Sequence, residues 1–129
     1  EYSDRATRHA LDLIAVGAAL ELHLLNVQPS LGGAVAAFVS KEQIDAHHRE
    51  EGEKGLASAV ALAKKASVPA KTHIGVGRQG EVVADFARKL GAGLVVLGTR
   101  GHTGLAGVLL GSVAQDVIAH AEVPVTLVK

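Results

Sequence analysis

The chain has 129 residues and a mass of 13.2 kDa, the size of one ordinary domain. Hydrophobic residues make up 48% and charged residues 20%, which excludes an intrinsically disordered chain. Thirteen Lys and Arg balance thirteen Asp and Glu, so no global field favours nucleic acid or an anionic membrane, and the absence of Cys excludes disulfides and thiolate metal sites.

Aromatic residues reach only 2%, while glycine occurs 15 times and alanine is abundant. Close backbone packing must therefore replace bulky side chains. No apolar run reaches the roughly 18 to 20 residues that a membrane-spanning helix needs. There is no Met, and the sequence opens inside a helical pattern. It reads as a portion of a longer polypeptide.

Ser3 is the expected N-cap of a helix from about Asp4 to Val16, with Ala6, Ala10, Leu13 and Ile14 at helical spacing. Glu21 to Val27 is an apolar run of strand length. Gln28 to Val39 reads as a loop, and its segment Leu31–Val39 is unusually apolar. Ser40 and Gln43 form a capping box that opens a long helix to about Ala66, whose second half alone looks packed. Lys71 to Val76 alternates as a half-buried strand near a sheet edge, with Thr72, Ile74 and Val76 on its apolar face. Glu81 to Leu90 is an amphipathic helix stopped by Gly91. Leu94 to Leu97 is a continuous apolar run, as expected of a strand covered on both faces. A glycine-rich loop leads to a helix from Val113 to His120, and Val125 to Val128 is a last strand that starts after Pro124. This alternation of helix and strand predicts an α/β fold: a doubly wound, Rossmann-like open parallel sheet with helices on both faces.

Two glycine patterns compete for a phosphate. Gly75-Val76-Gly77-Arg78-Gln79-Gly80 fits G-x-G-x-x-G between a strand and a helix. A dinucleotide loop also needs an acidic residue about 20 positions on, and Leu94 to Gly111 contains none. A turn with a helix start is the better reading, which leaves an NAD-dependent oxidoreductase as the weaker alternative. The second pattern runs from Gly98 through Thr99, Arg100, Gly101 and His102 to Gly111-Ser112. It leaves an apolar strand and ends at a helix N-terminus, where backbone N–H groups bind anions. Ser112 is placed to cap that helix or to donate its hydroxyl. No Lys follows Gly111, so this is not a phosphoryl-transfer P-loop.

Gly98-x-x-Gly101, nine residues, then Gly111-Ser112 resembles the ATP-binding signature of the universal stress protein family. The resemblance extends over the chain, through Ser3–Ala15, Leu24–Val27, Leu94–Gly101, Gly111–Ala114 and Val123–Val125. It implies a cytoplasmic, ATP-binding stress-response or regulatory protein that binds nucleotide with at most slow hydrolysis. By position, Gly98, Gly101, Gly111, Ser112 and Val113 would line the phosphates, with Arg100 as a further phosphate contact. Val27 and Leu97 would contact the adenosine, and Mg²⁺ would accompany the triphosphate. The resemblance also implies a homodimer through the last strand, Val125–Val128. The alternative is a homodimeric interaction module of the same fold that binds no nucleotide. The family begins with a central strand ending in Asp, which this sequence lacks before its first helix. The four strands are therefore expected to leave a gap of two inter-strand spacings, roughly 9 to 10 Å, and not to form a stable domain alone.

Other candidates are weaker. His47, His48, Glu50 and Glu51 cluster on one helix, and a solvated face is the expected reading. His23 and His73 are expected to be structural. Asp116 and Ser112 lie four apart, yet no His completes a nucleophilic set.

Overall fold

The computed structural model describes residues 2–99 and 110–129. Arg100, Gly101 and His102 lie outside the described residues. The elements are α1 (Tyr2–Ala15), β1 (Leu22–Gln28), α2 (Gly33–Ala36), α3 (Lys41–Lys65), β2 (Ala70–Val76), α4 (Gln79–Leu90), β3 (Val95–Gly98), α5 (Ser112–His120) and β4 (Val125–Val128).

α1 begins one residue before Ser3, so Ser3 lies inside the helix rather than capping it; its carbonyl accepts the Thr7 hydroxyl at 2.9 Å. α3 opens as expected: the Ser40 hydroxyl accepts from the Gln43 amide, and the Gln43 side chain accepts from the Ser40 amide. Its first half is more packed than its charge suggests, because His48 and Gly52 are both buried. α4 ends at Gly91, whose φ of 64° is the left-handed conformation glycine adopts cheaply.

β1 pairs in parallel with β2, from Leu22 opposite Ala70 to Gln28 opposite Val76. β3 pairs in parallel with β4, from Val95 opposite Val125 to Gly98 opposite Val128. Each pair is a separate two-stranded sheet, so the parallel sheet is split between β1 and β3. This explains a departure from the sequence pattern. β3 was expected to be covered on both sides, yet every residue in it is only half-buried, because one edge faces the split.

The main core joins Leu11 of α1, Leu22 and Leu24 of β1, and Leu56 and Ala63 of α3. Fully burying a leucine contributes about 1.5–3 kcal/mol, so this cluster holds α1 and α3 on one face of β1. Small residues let α3 come close: a Cβ on Gly52 would sit 2.7 Å from Ile74. On the other face α4 covers the first sheet, where the rings of His73 and Phe86 lie 5.7 Å apart. α4 packs in turn on α5. In β2 it is Gly75 that is buried, whereas Val76 of the expected apolar face is 45% exposed. Gly75 has α4 directly above it: a Cβ there would meet Val82 and lie 3.0 Å from the Phe86 ring.

The direction of the two sheets follows from α1. Tyr2 lies against Gly98 at the end of β3, and the short connection 16–21 leads from the end of α1 to the start of β1. α1 thus descends while β1 and β3 both ascend, and all four strands point the same way. A slot of about 860 Å³ runs between the pairs, lined by Leu22–Asn26, by Leu94, Val96, Leu97 and Gly98, and by α1 and α3.

Candidate functional site

In an open α/β sheet, ligands bind beyond the carboxyl ends of the strands. Here that edge carries a shallow cleft of about 710 Å³. One wall is Gly77, Arg78 and Gln79, the turn from β2 into α4, with Pro29 following β1. The other wall is Ser112, Val113, Gln115, Asp116 and Ala119 of α5.

α5 is positioned by its own first residues. The Gly111 amide donates to the Thr99 carbonyl at 2.6 Å, which ties the start of the helix to the end of β3. Gly111 is the N-cap, in extended conformation (φ −68°, ψ 160°), and no side chain caps the helix. Ser112 therefore does not cap; it is the first helical residue and is exposed. First-turn amides have no partner within the helix, and among the described residues no side chain accepts from them.

The turn into α4 is built differently. The Gly77 amide donates to the Gln28 carbonyl at 2.9 Å, and Gly77 has φ 135°, which disfavours any side chain. The Gly80 amide donates to Asp116 Oδ2 at 2.8 Å, and the Arg78 guanidinium donates to Asp116 Oδ1 at 2.8 Å. A Cβ on Gly80 would come within 2.5 Å of the Asp116 side chain and main-chain oxygen. Each glycine of the G-x-G-x-x-G match thus has a packing or conformational reason. The α4 amide that a dinucleotide would need is already held by a carboxylate of this chain, which speaks against the NAD reading.

Partial burial pushes the Asp116 carboxyl upward. The Gly80 amide and the Arg78 guanidinium outweigh that and hold it below the usual carboxylate range, helped by His120. His120 Nδ1 donates to the Asp116 carbonyl at 2.8 Å. Asp116 is therefore a fixed anion joining α4 to α5.

Of the residues expected from sequence, Ser112 and Val113 line the cleft, and Gly111 adjoins them. Leu97 and Gly98 line the slot between β1 and β3 instead, and Val27 lines neither cavity. Gly98 has a structural use of its own: a Cβ there would lie 2.8 Å from Tyr2 Cβ. Arg78, Gln79 and Gln115 are additions, and Asp116, considered from sequence only beside Ser112 for a nucleophilic set, lines the cleft as an ion-pair partner. The sequence signal for Arg78 is its place inside the Gly75–Gly80 pattern, the one cation between glycines at a strand-to-helix turn.

The helical His cluster resolves into separate roles. His48 is 6% exposed, not solvated, and its Nε2 donates to the Pro29 carbonyl at 3.1 Å, which seats the Pro29 wall. Lys54 pairs with Glu50 and Glu51. Among the described residues no group of three His, Cys, Asp or Glu is placed to hold a metal ion. His23 Nδ1 and His73 Nε2 lie 2.8 Å apart, a hydrogen bond across the β1–β2 ladder. No described helix is long and apolar enough to cross a membrane.

Comparisons with known proteins agree over the full length. The model of the "Universal stress protein family" matches residues 1–129. Universal stress protein MJ0531 of Methanocaldococcus jannaschii is 34% identical over 131 residues, covering 100% of this chain and 76% of the relative. Two solved structures share the fold. A universal stress protein in complex with cAMP has a TM-score of 0.71 and 24% identity, covering 100% of this chain and 90% of the other. A universal stress protein family protein from Arabidopsis thaliana with AMP bound has a TM-score of 0.63 and 22% identity, covering 100% and 79%. Match and relative span every element from α1 to β4, and the chain belongs to the universal stress protein family.

Proposed function

We propose that this protein binds an adenine nucleotide, ATP in particular, as a regulatory binding module, with the phosphates in the cleft between α4 and α5. The observation that carries the reading is the first turn of α5. It opens into a 710 Å³ cleft at the carboxyl end of the sheet, and no described side chain caps it. An uncapped helix start offers several N–H donors and a partial positive charge to an anion. The cAMP and AMP complexes named above are consistent with an adenine ligand in this family. Gly111, Ser112 and Val113 are the described phosphate contacts in this reading, with Arg100 and Gly101 completing them. Val27 and Leu97 flank the adenosine from the strand ends.

The walls do not supply a ready Mg²⁺ site. Asp116 is the one carboxylate among the described lining residues, and both its oxygens already accept hydrogen bonds. A divalent ion would be held by the nucleotide's own phosphates.

The test uses the geometry of the N-cap. Proline is favoured at the first helical position, and the residue before it must be extended, as Gly111 is. Ser112→Pro should therefore keep α5 while removing one amide donor and one hydroxyl. A hydrogen bond to a charged group contributes about 1.5–3 kcal/mol. Calorimetry on the full-length polypeptide should show ATP affinity falling by about 10- to 100-fold. Unchanged affinity in a variant with an unchanged far-UV spectrum would refute the assignment.

A further inference from the structure

We infer that Arg78 reads the phosphate end of the ligand, and that Asp116 is the internal anion the ligand must displace to reach it. The inference rests on the nucleotide reading above and adds to it a side chain that discriminates by phosphate charge.

Three observations support it. First, among the described residues lining the cleft, Arg78 is the one cation. Second, Arg78 and Ser112 line the same cleft, and the 2.8 Å bond to Asp116 already holds Arg78 against α5 one turn on from Ser112. Third, the two partners of the ion pair differ in freedom. The Asp116 side chain is only 17% exposed, and its Oδ2 is separately fixed by the Gly80 amide. The Arg78 side chain is 65% exposed, and its second acidic neighbour, Glu81, stands 3.8 Å away. Asp116 stays in place when Arg78 leaves, so exchange needs only the arginine to turn.

The exchange is favourable in charge. A guanidinium fork matches a phosphate as well as a carboxylate. A terminal phosphate carries about 1.5–2 negative charges at neutral pH against one on a carboxylate. The arginine end of the pair is exposed, and the carboxylate keeps its bond from the Gly80 amide when the pair opens. Adenosine alone gives Arg78 nothing to turn to. The consequence is a preference that grows with the number of phosphates, set by the balance between Asp116 and the ligand.

Removing either partner should shift that balance in opposite directions. Calorimetry with adenosine, AMP and ATP, at low and high salt, compares the wild-type full-length polypeptide with Arg78→Gln and Asp116→Asn. Arg78→Gln should weaken ATP about tenfold, flatten the salt dependence and leave adenosine unchanged. Asp116→Asn keeps an acceptor for the Gly80 amide and removes the competing charge, so it should tighten ATP about threefold and leave adenosine unchanged. Arg78→Lys, which keeps the charge without the fork, should fall between wild type and Arg78→Gln. ATP affinity equal in wild type and Arg78→Gln would overturn the inference, as would weaker ATP binding by an Asp116→Asn variant that melts like wild type. Failure of the wild-type protein to bind any of the three ligands would instead refute the nucleotide reading itself.

Discussion

The split between β1 and β3 makes a strong prediction about stability. In a parallel ladder, alternate residues point both backbone groups to the same side. Gly77 donates to the Gln28 carbonyl, which turns the backbone groups of Leu22, Leu24, Asn26 and Gln28 toward β2 and leaves those of His23, Leu25 and Val27 pointing away from it. The Val95 and Thr99 amides donate to the Pro124 and Val128 carbonyls, which leaves Val96 and Gly98 facing the slot from the other side. Those five residues present ten backbone donors and acceptors to one added strand. Ten bonds at about 1 kcal/mol each nearly cancel the ordering of six residues at about 1.5 kcal/mol each. The net gain then comes from apolar side chains, at about 1.5–3 kcal/mol for each one fully buried. Three such side chains would give about 5–9 kcal/mol, comparable with the whole stability of a small domain, about 5–15 kcal/mol. Residues 1–129 alone should therefore show a broad, low thermal transition by far-UV circular dichroism. A Val- and Ile-rich peptide of six or seven residues, added in trans, should raise and sharpen it. The same peptide with a central Pro, which lacks a ladder donor, should not. A sharp cooperative monomeric melt of residues 1–129 with no added strand would refute the reasoning.

Two further outcomes follow from side chains already described. Burial, then the neighbouring charges of His23 and Lys71, hold the His73 pKa below its ordinary value of 6.5. The unfolded chain then binds the proton more readily than the folded one, so stability should fall as pH drops through 6.5 and be flat above it. Urea midpoints between pH 5 and 8 should show that slope in wild type and lose it in His73→Gln; equal slopes would contradict the assignment. Gly80→Ala forces a Cβ against the Asp116 main chain. It should cost about 1–3 kcal/mol, read as a lower denaturant midpoint, and an unchanged midpoint would show that α4 and α5 shift freely.

The alternation of elements was legible because each carries its own local signal. The capping box at Ser40 and the glycine stop at Gly91 depend only on neighbours in sequence, and both stand where expected. The expected gap in the sheet also appears, as two separate strand pairs. What was misread depends on distant partners. Gly75 is buried because Val82 and Phe86 of α4 lie over it, and His48 is buried because it holds the Pro29 carbonyl. Neither contact leaves a periodic trace. In the cleft, the Ser112 wall was visible from its glycine context. The Arg78–Asp116 pair was not, because 38 residues separate the two and only the packing of α4 on α5 brings them together.

The central claim is that an adenine nucleotide sits between the turn into α4 and the first turn of α5. Titrating ATP into the ¹⁵N-labelled full-length polypeptide and following amide chemical shifts tests this most directly. Saturable shifts centred on Gly77, Arg78, Ser112 and Val113 are the predicted result. Absence of shifts at millimolar ATP, or shifts confined to the slot residues Leu22–Asn26 and Val96, would contradict it.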